Sequence, residues 1–268
     1  MDETTKVIHD YYNNIVEKEW ERVAGKPEFL LGCRMQSRYI KRGDKVLDIG
    51  GGPGRYSLFY AEKDCDVTLI DLSSENVKFA KERAAERCVV LNGIVGDARE
   101  TDKLVTDTFD HVLLMGPMYH LLEESDRVKA VNASLNVLKQ GGMLFVSFIN
   151  LFAGIIYAMR GMPELIETSL PSEVEYKNCV INQKSFAGDA FTKAFFIEQS
   201  EVLPFMSQFP LEKLHLIGQE GITCPCVSNI MTQPPEIVEK WLDFCEQTWE
   251  REDLLSWSEH LMYVGRKM

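Results

Sequence analysis

Residues 45–72 read KVLDIGGGPGRYSLFYAEKDCDVTLIDL, and the order of residue types in this stretch decides the fold. Lys45 to Ile49 is short and apolar, with no room for a helix before the glycines, which predicts a buried strand. Gly50, Gly51, Gly52 and Gly54 follow, with Pro53 among them. Glycines so placed let the backbone take positive φ and let a ligand approach with no Cβ in the way. From Arg55 the period turns helical, and Tyr56, Phe59 and Tyr60 share a face. Val67 to Ile70 is a second apolar run, delivering Asp71 and Leu72. Strand, glycine turn, helix, strand and acid in this order form the layout of a nucleotide-binding βαβ unit.

Spacing narrows the ligand. A dinucleotide fingerprint G-x-G-x-x-G begun at Gly50 needs glycine where Arg55 stands; begun at Gly51 it needs glycine where Pro53 stands. A D-x-G-x-G-x-G pattern does fit, through Asp48, Gly50, Gly52 and Gly54. In this pattern the chain resembles the class I S-adenosylmethionine-dependent methyltransferases, whose first motif has this form. An acid two residues before the first glycine suits a ligand with an ammonium group and would repel a pyrophosphate. Asp71 suits a ribose diol in either ligand.

Composition sets the outer limits. At 268 residues the chain is long enough for one large domain with a lid. Its 29 basic and 41 acidic residues give a formal charge of −12, which disfavours a nucleic-acid backbone as substrate. The N-terminal MDETTKVIHDYYNN is acidic and polar, and no apolar run is long enough to span a bilayer, so neither a signal peptide nor a membrane span is expected. Seven cysteines without an even frame suggest reduced thiols and a cytoplasmic setting. Cys224-Pro225-Cys226 lacks the partners of a metal or redox site and reads as a turn.

Along the chain, residues 4 to 40 read as helices, with Val7, Ile8, Tyr11, Tyr12 and Ile15 at helical intervals and a second helix after Pro27. They form either a cover for one face of the sheet or, as the resemblance implies, a roof over the cofactor. On the latter reading Tyr11 and Tyr12 are lid residues and Arg34 meets the cofactor carboxylate. Ser73 is a helix N-cap. A third strand lies within Cys88 to Gly96 and ends at Asp97-Ala98, a fourth is Phe109 to Met115, and a helix from Leu121 to Leu138 leads to a fifth strand, Met143 to Ile149. In an open parallel sheet ligands sit beyond the carboxyl ends of the strands, so residues 115 to 120 face the chemistry. GPMYHL at 116–121 resembles a segment of the ubiquinone-biosynthesis-like small-molecule methyltransferases of bacteria. Tyr119 and His120 are the titratable groups there, and His120 is either a general base or a structural histidine. Residues 151–190 are too long for a bare connection and read as a cap over the substrate site. Phe191 to Ile197, Leu211 to Ile217 and His260 to Arg266 are further strands.

The expected fold is therefore α/β: a doubly wound, mostly parallel seven-stranded sheet with helices on both faces and, as the resemblance implies, an antiparallel last strand. One domain spans 1–268, divided into a lid (1–40), a cofactor-binding core (41–150), a cap (151–190) and a C-terminal part of the sheet (191–268). The resemblance implies methyl transfer from S-adenosylmethionine to a small-molecule acceptor, by in-line displacement, leaving S-adenosylhomocysteine. It implies that Asp48, Gly50, Gly52 and Gly54 hold the methionine part, Asp71 the ribose, Leu72 and Ala98 the adenine faces, Asp97 the adenine amino group, and the Met115 carbonyl the ammonium. No metal, nucleic acid or membrane partner is expected, and the chain works as a monomer or homodimer. Other readings are a methyltransferase acting on RNA or protein, which a basic groove would favour, a cofactor-binding regulatory domain, and a dinucleotide oxidoreductase, against which the glycine register argues.

Overall fold

A computed structural model describes all 268 residues. Three helices, α1 (Glu3–Asn13), α2 (Val16–Val23) and α3 (Pro27–Gln36), precede an alternating stretch. This runs β1 (Lys45–Ile49), α4 (Arg55–Ala61), β2 (Asp66–Asp71), α5 (Ser74–Glu86), β3 (Asn92–Val95), α6 (Thr101–Leu104), β4 (Phe109–Leu114), α7 (Glu124–Val137) and β5 (Leu138–Asn150). After it come α8 (Ala153–Gly161), α9 (Pro171–Ile181), β6 (Phe186–Asp189), β7 (Lys193–Ile197) and α10 (Gln199–Met206). The chain finishes with β8 (Leu211–Gly218), α11 (Val227–Met231), α12 (Pro235–Thr248) and β9 (His260–Lys267).

Strands β3, β2, β1, β4 and β5 lie side by side and parallel. β9 runs antiparallel along β5 from Met143 to Ile149, and β8 lies antiparallel outside β9. These seven strands make the expected sheet, with the closing strand inserted between the fifth strand and its neighbour. The full count is nine, not seven, because β6 and β7 form an antiparallel hairpin. That hairpin joins the sheet only where Ile149 and Asn150 of β5 meet Phe196 and Ile197. Its first strand, Phe-Ala-Gly-Asp, carries little β propensity of its own and is held by its partner and by an edge-to-face contact of Tyr176 with Phe186.

Two apolar layers sandwich the sheet. One packs Leu47, Val112, Leu144 and Val146 against α7 and α10; the other packs Val46, Leu113 and Phe145 against α3, α4 and α12. Alternate residues of the same strands face opposite layers, so the central strands are apolar on both faces apart from the buried Asp48, His111 and Ser147, as in sheets covered on both sides. Three boundaries differ from the sequence reading. The N-terminal segment forms three helices, because Ile15 leaves helical geometry at φ −126°. The helix before β5 starts at Glu124, because Glu123 stays extended at φ −84°, ψ 133°. Cys88 to Leu91 lie outside β3, with Cys88 at φ 56° just beyond the end of α5.

Candidate functional site

The glycine loop joins β1 to α4 at the carboxyl edge of the sheet. Gly50 takes φ +68°, and a Cβ there would stand 2.5 Å from Cδ of Pro117, so only glycine lets the loops after β1 and β4 meet. Gly54, at φ +87°, is the N-cap of α4, and a Cβ on it would strike Ala80 of α5 at 2.8 Å. Between them the amide of Gly52 donates to Asp71 Oδ2 at 2.8 Å. Asp71 Oδ1 also accepts from the Ser73 amide at 2.9 Å and from Asn76 Nδ2 at 3.1 Å. The acid that closes β2 thus clamps the glycine loop to the start of α5. Burial, only partly offset by these donors, raises its pKa.

This loop is one wall of a cavity of about 1380 Å³. Asp48, Gly50, Gly52, Asp71, Leu72, Asp97, Ala98, Met115, Tyr119, His120 and Tyr11 all line it. Gly54 shapes the loop without lining the cavity. Arg34 stands apart from the rest. Its guanidinium is held by Asp243 and Glu246 of α12, and by Glu239, on the outer side of α3, and it does not line the cavity. The sequence could not show this, because the acids that capture Arg34 lie more than two hundred residues away.

The cofactor end contains buried polar atoms that the chain itself leaves without partners. Asp48 is fully buried; Ser57 Oγ donates to its Oδ2 at 2.7 Å, while Oδ1 has no hydrogen bond. Asn76 Oδ1 is likewise buried and unpaired. Burial lifts the Asp48 pKa to about 7, with Asp71 adding to the rise. An acceptor oxygen so placed fits an ammonium donor, and with the glycine loop and Asp71 the set fits the amino-acid and ribose parts of S-adenosylmethionine. Asp97 caps the 3₁₀ turn that starts at Ala98, and its carboxylate is held by Arg99.

The opposite end is more elaborate than the sequence reading foresaw. Tyr119 donates to Ser147 Oγ at 2.7 Å, Ser147 donates to Gln219 Oε1 at 2.9 Å, and Gln219 Nε2 donates to the Glu28 carbonyl at 3.2 Å. The His260 ring lies 5.4 Å from that of Tyr119, and its Nδ1 and backbone amide bond to Glu220. The donor atoms of Glu28, Glu220 and His260 lie within 4.8 Å of one another, a set with the spacing of a metal site. Arg22 already bonds Glu28 at 3.0 Å and supplies countercharge there. Burial opposes a charge on His260, yet Glu28 and Glu220 raise its pKa to about 9. No local pattern marks Glu28, Gln219 or His260; they come from α3, the end of β8 and the start of β9, and only the fold brings them together.

His120 is constrained on both nitrogens. The Lys193 carbonyl lies 2.9 Å from Nδ1 and can only accept, so Nδ1 carries the proton and Nε2 accepts from Tyr12 Oη at 2.8 Å. Burial lowers the pKa of His120 to about 4 and raises that of Tyr12 well above its ordinary value. The pair ties α1 to the tip of β4. Both of its ring nitrogens are thus engaged within the protein.

Residues 46–142 match the model of a methyltransferase domain family. The chain is 26% identical over 231 residues to the glycine/sarcosine N-methyltransferase of Aphanothece halophytica, covering 80% of this chain and 82% of that one. It is 25% identical to the ubiquinone biosynthesis O-methyltransferase of Photobacterium profundum, over 66% and 67% of the two chains. Among solved structures, the CcbJ methyltransferase of Streptomyces caelestis superposes with a TM-score of 0.62 at 13% identity, over 96% of this chain and 97% of that one. The magnesium protoporphyrin IX methyltransferase of Synechocystis, solved with bound S-adenosylhomocysteine, does so at 0.59 and 12% identity, over 99% and 100%.

Proposed function

We propose that this chain is a class I S-adenosylmethionine-dependent methyltransferase that methylates a small molecule held beneath the lid and cap. S-adenosylmethionine supplies an electrophilic methyl group on a sulfonium, and S-adenosylhomocysteine is its product. The observation that carries the reading is one continuous cavity of about 1380 Å³, running from Asp48, Gly52 and Asp71 to Tyr119, Gln219 and His260. Pockets for a single drug-sized ligand span roughly 300–1,000 Å³, so this one has room for a donor and an acceptor together. Apolar side chains of the cap, Ile155, Met159, Leu165 and Ile166, line its far wall. A deep chamber with an apolar wall on the cap side favours a small acceptor over RNA or a protein surface.

In this reading Asp48 takes the donor's ammonium, Asp71 its ribose and the amides of the glycine loop its amino-acid end. Leu72 and Ala98 flank the adenine, and Asp97 faces its amino group. The Met115 carbonyl lies beside the ammonium, and Tyr11 closes the lid above. Tyr119 positions the acceptor, its hydroxyl orientation set by Ser147. Burial, and next Glu28, raise the Tyr119 pKa well above its ordinary value, so it acts by orientation rather than as a base. Holding nucleophile and methyl carbon in line supplies most of the acceleration, because the donor is already activated.

Calorimetry tests this assignment. S-adenosylhomocysteine should bind at micromolar Kd, and Asp71→Ala should weaken it by about tenfold, roughly 1.4 kcal/mol. An Asp71→Ala protein that binds as tightly as wild type would overturn the role given to this residue. Absence of any binding would overturn the assignment of the cavity.

A further inference from the structure

Twelve carboxylates line the cavity against five lysines and arginines, and the imbalance persists at its acceptor end. There Glu19 and Glu28 share Arg22, at 2.8 and 3.0 Å. Glu220 pairs with His260 and Glu259 with Arg160 at 2.7 Å. Four carboxylates therefore face three cations, even with His260 protonated. Glu28 and Glu220 are buried, so water screens their charge weakly. Glu28, Glu259 and His260 line the same cavity as Asp48 and the glycine loop, so their field reaches the place where the methyl group moves.

The sign of that field separates acceptor chemistries. When a neutral amine attacks, its lone pair forms the new N–C bond as the C–S bond breaks and that electron pair returns to sulfur. The positive charge leaves the sulfonium and settles on nitrogen as an ammonium, whose proton departs to solvent afterwards. Fixed carboxylates at the acceptor end stabilise this displaced charge and cost no reorganisation. A phenolate or carboxylate acceptor brings a negative charge instead, which the same groups repel while it binds. Resting on the methyl-transfer reading above, we propose that the acceptor is a neutral amine on an apolar body, with Glu28 stabilising the cation that forms on its nitrogen. Ile155, Met159 and Leu165 of the cap provide the apolar wall, and the Tyr119–Ser147–Gln219 chain lies at the polar end.

The test uses cofactor analogues, which bind whatever the acceptor is. In one analogue a CH–NH₃⁺ unit replaces the S–CH₃⁺ unit and so carries a cation toward the acceptor end; S-adenosylhomocysteine is neutral there. Calorimetry on the full chain should give the amine analogue at least about tenfold tighter binding than S-adenosylhomocysteine, the advantage expected of a charge-assisted contact. Glu28→Gln should reduce that ratio several-fold while S-adenosylhomocysteine affinity stays within about twofold, and Glu259→Gln should reduce it less. Equal affinity for the two analogues in the wild-type protein, or a ratio untouched by Glu28→Gln, overturns the amine inference and leaves the cofactor assignment standing. The wild-type ratio decides the matter even if a Glu28 variant fails to fold. Failure of S-adenosylhomocysteine itself to bind removes the cofactor assignment and this inference together.

Discussion

Asp48 shows how one side chain reads as sequence and as structure. Its place two residues before the first glycine marks the loop, but burial gives it its behaviour. A carboxyl held near pKa 7 is largely protonated at pH 6, whereas the donor's ammonium needs it ionised. Binding of S-adenosylmethionine at pH 6 should therefore release close to one proton, and affinity should rise as pH climbs toward 7. Calorimetry in two buffers of different ionisation enthalpy measures this directly, and Asp48→Asn should abolish the release. Proton exchange that is nil in the wild type would show that Asp48 does not receive the ammonium. The residue scale also shows where reading by type stops. Arg34 has the right chemistry for a cofactor carboxylate, yet α12 captures it on the outer face of α3.

At the scale of elements, α1 lies along the cavity and is fastened at four points. Thr5 accepts from Arg99, Tyr12 donates to His120, the Asn13 amide oxygen accepts from Ser73, and Tyr11 packs against Phe191 of the turn between β6 and β7. The hairpin of β6 and β7 is thus part of the seat of α1, and it also presents the Lys193 carbonyl that sets the His120 tautomer. Tyr12→Phe removes one hydrogen bond and leaves Nε2 of a buried imidazole bare. A loss of about 1 kcal/mol should raise amide exchange in residues 3–13 and the dissociation rate of S-adenosylhomocysteine by roughly fivefold. The melting temperature should barely move, because the core packing is unaffected. Exchange and dissociation both unchanged would mean that the lid is held by its other contacts alone.

Across the whole molecule, the buried pair of Glu220 and His260 ties the end of β8 to the start of β9, the strand that closes the sheet. Burial opposes the imidazolium, but Glu28 and Glu220 hold its pKa near 9, above the ordinary histidine value of 6.5. The folded state then binds the proton more tightly than the unfolded chain. Its stabilising contribution is complete below about pH 6.5 and is lost as pH rises toward 9. Thermal melts from pH 6.5 to 9 should show stability declining with a slope approaching one proton, and His260→Gln should flatten that slope. A wild-type stability that stays level across this window would contradict a charged His260. No helix is long and apolar enough to cross a membrane.

Sequence by itself determined what depends on near neighbours: the glycine loop between β1 and α4, Asp48 and Asp71 at fixed offsets from it, the alternation of strands and helices to Asn150, and the antiparallel finish that the resemblance implied. These features are legible because φ > 0, helix starts and buried strands each demand particular residues within a few positions. Tertiary structure alone decided the acceptor end. Glu28, Gln219 and His260 are ordinary residues in their own segments, and they acquire charge, partners and a shared cavity only when β8 and β9 fold back beside β5 and α3. The hairpin of β6 and β7 belongs to the same class, since a short strand containing glycine has no meaning until a partner satisfies its backbone. Local geometry is written in local residue types, whereas electrostatics depends on distances through space that the order of residues along the chain does not contain.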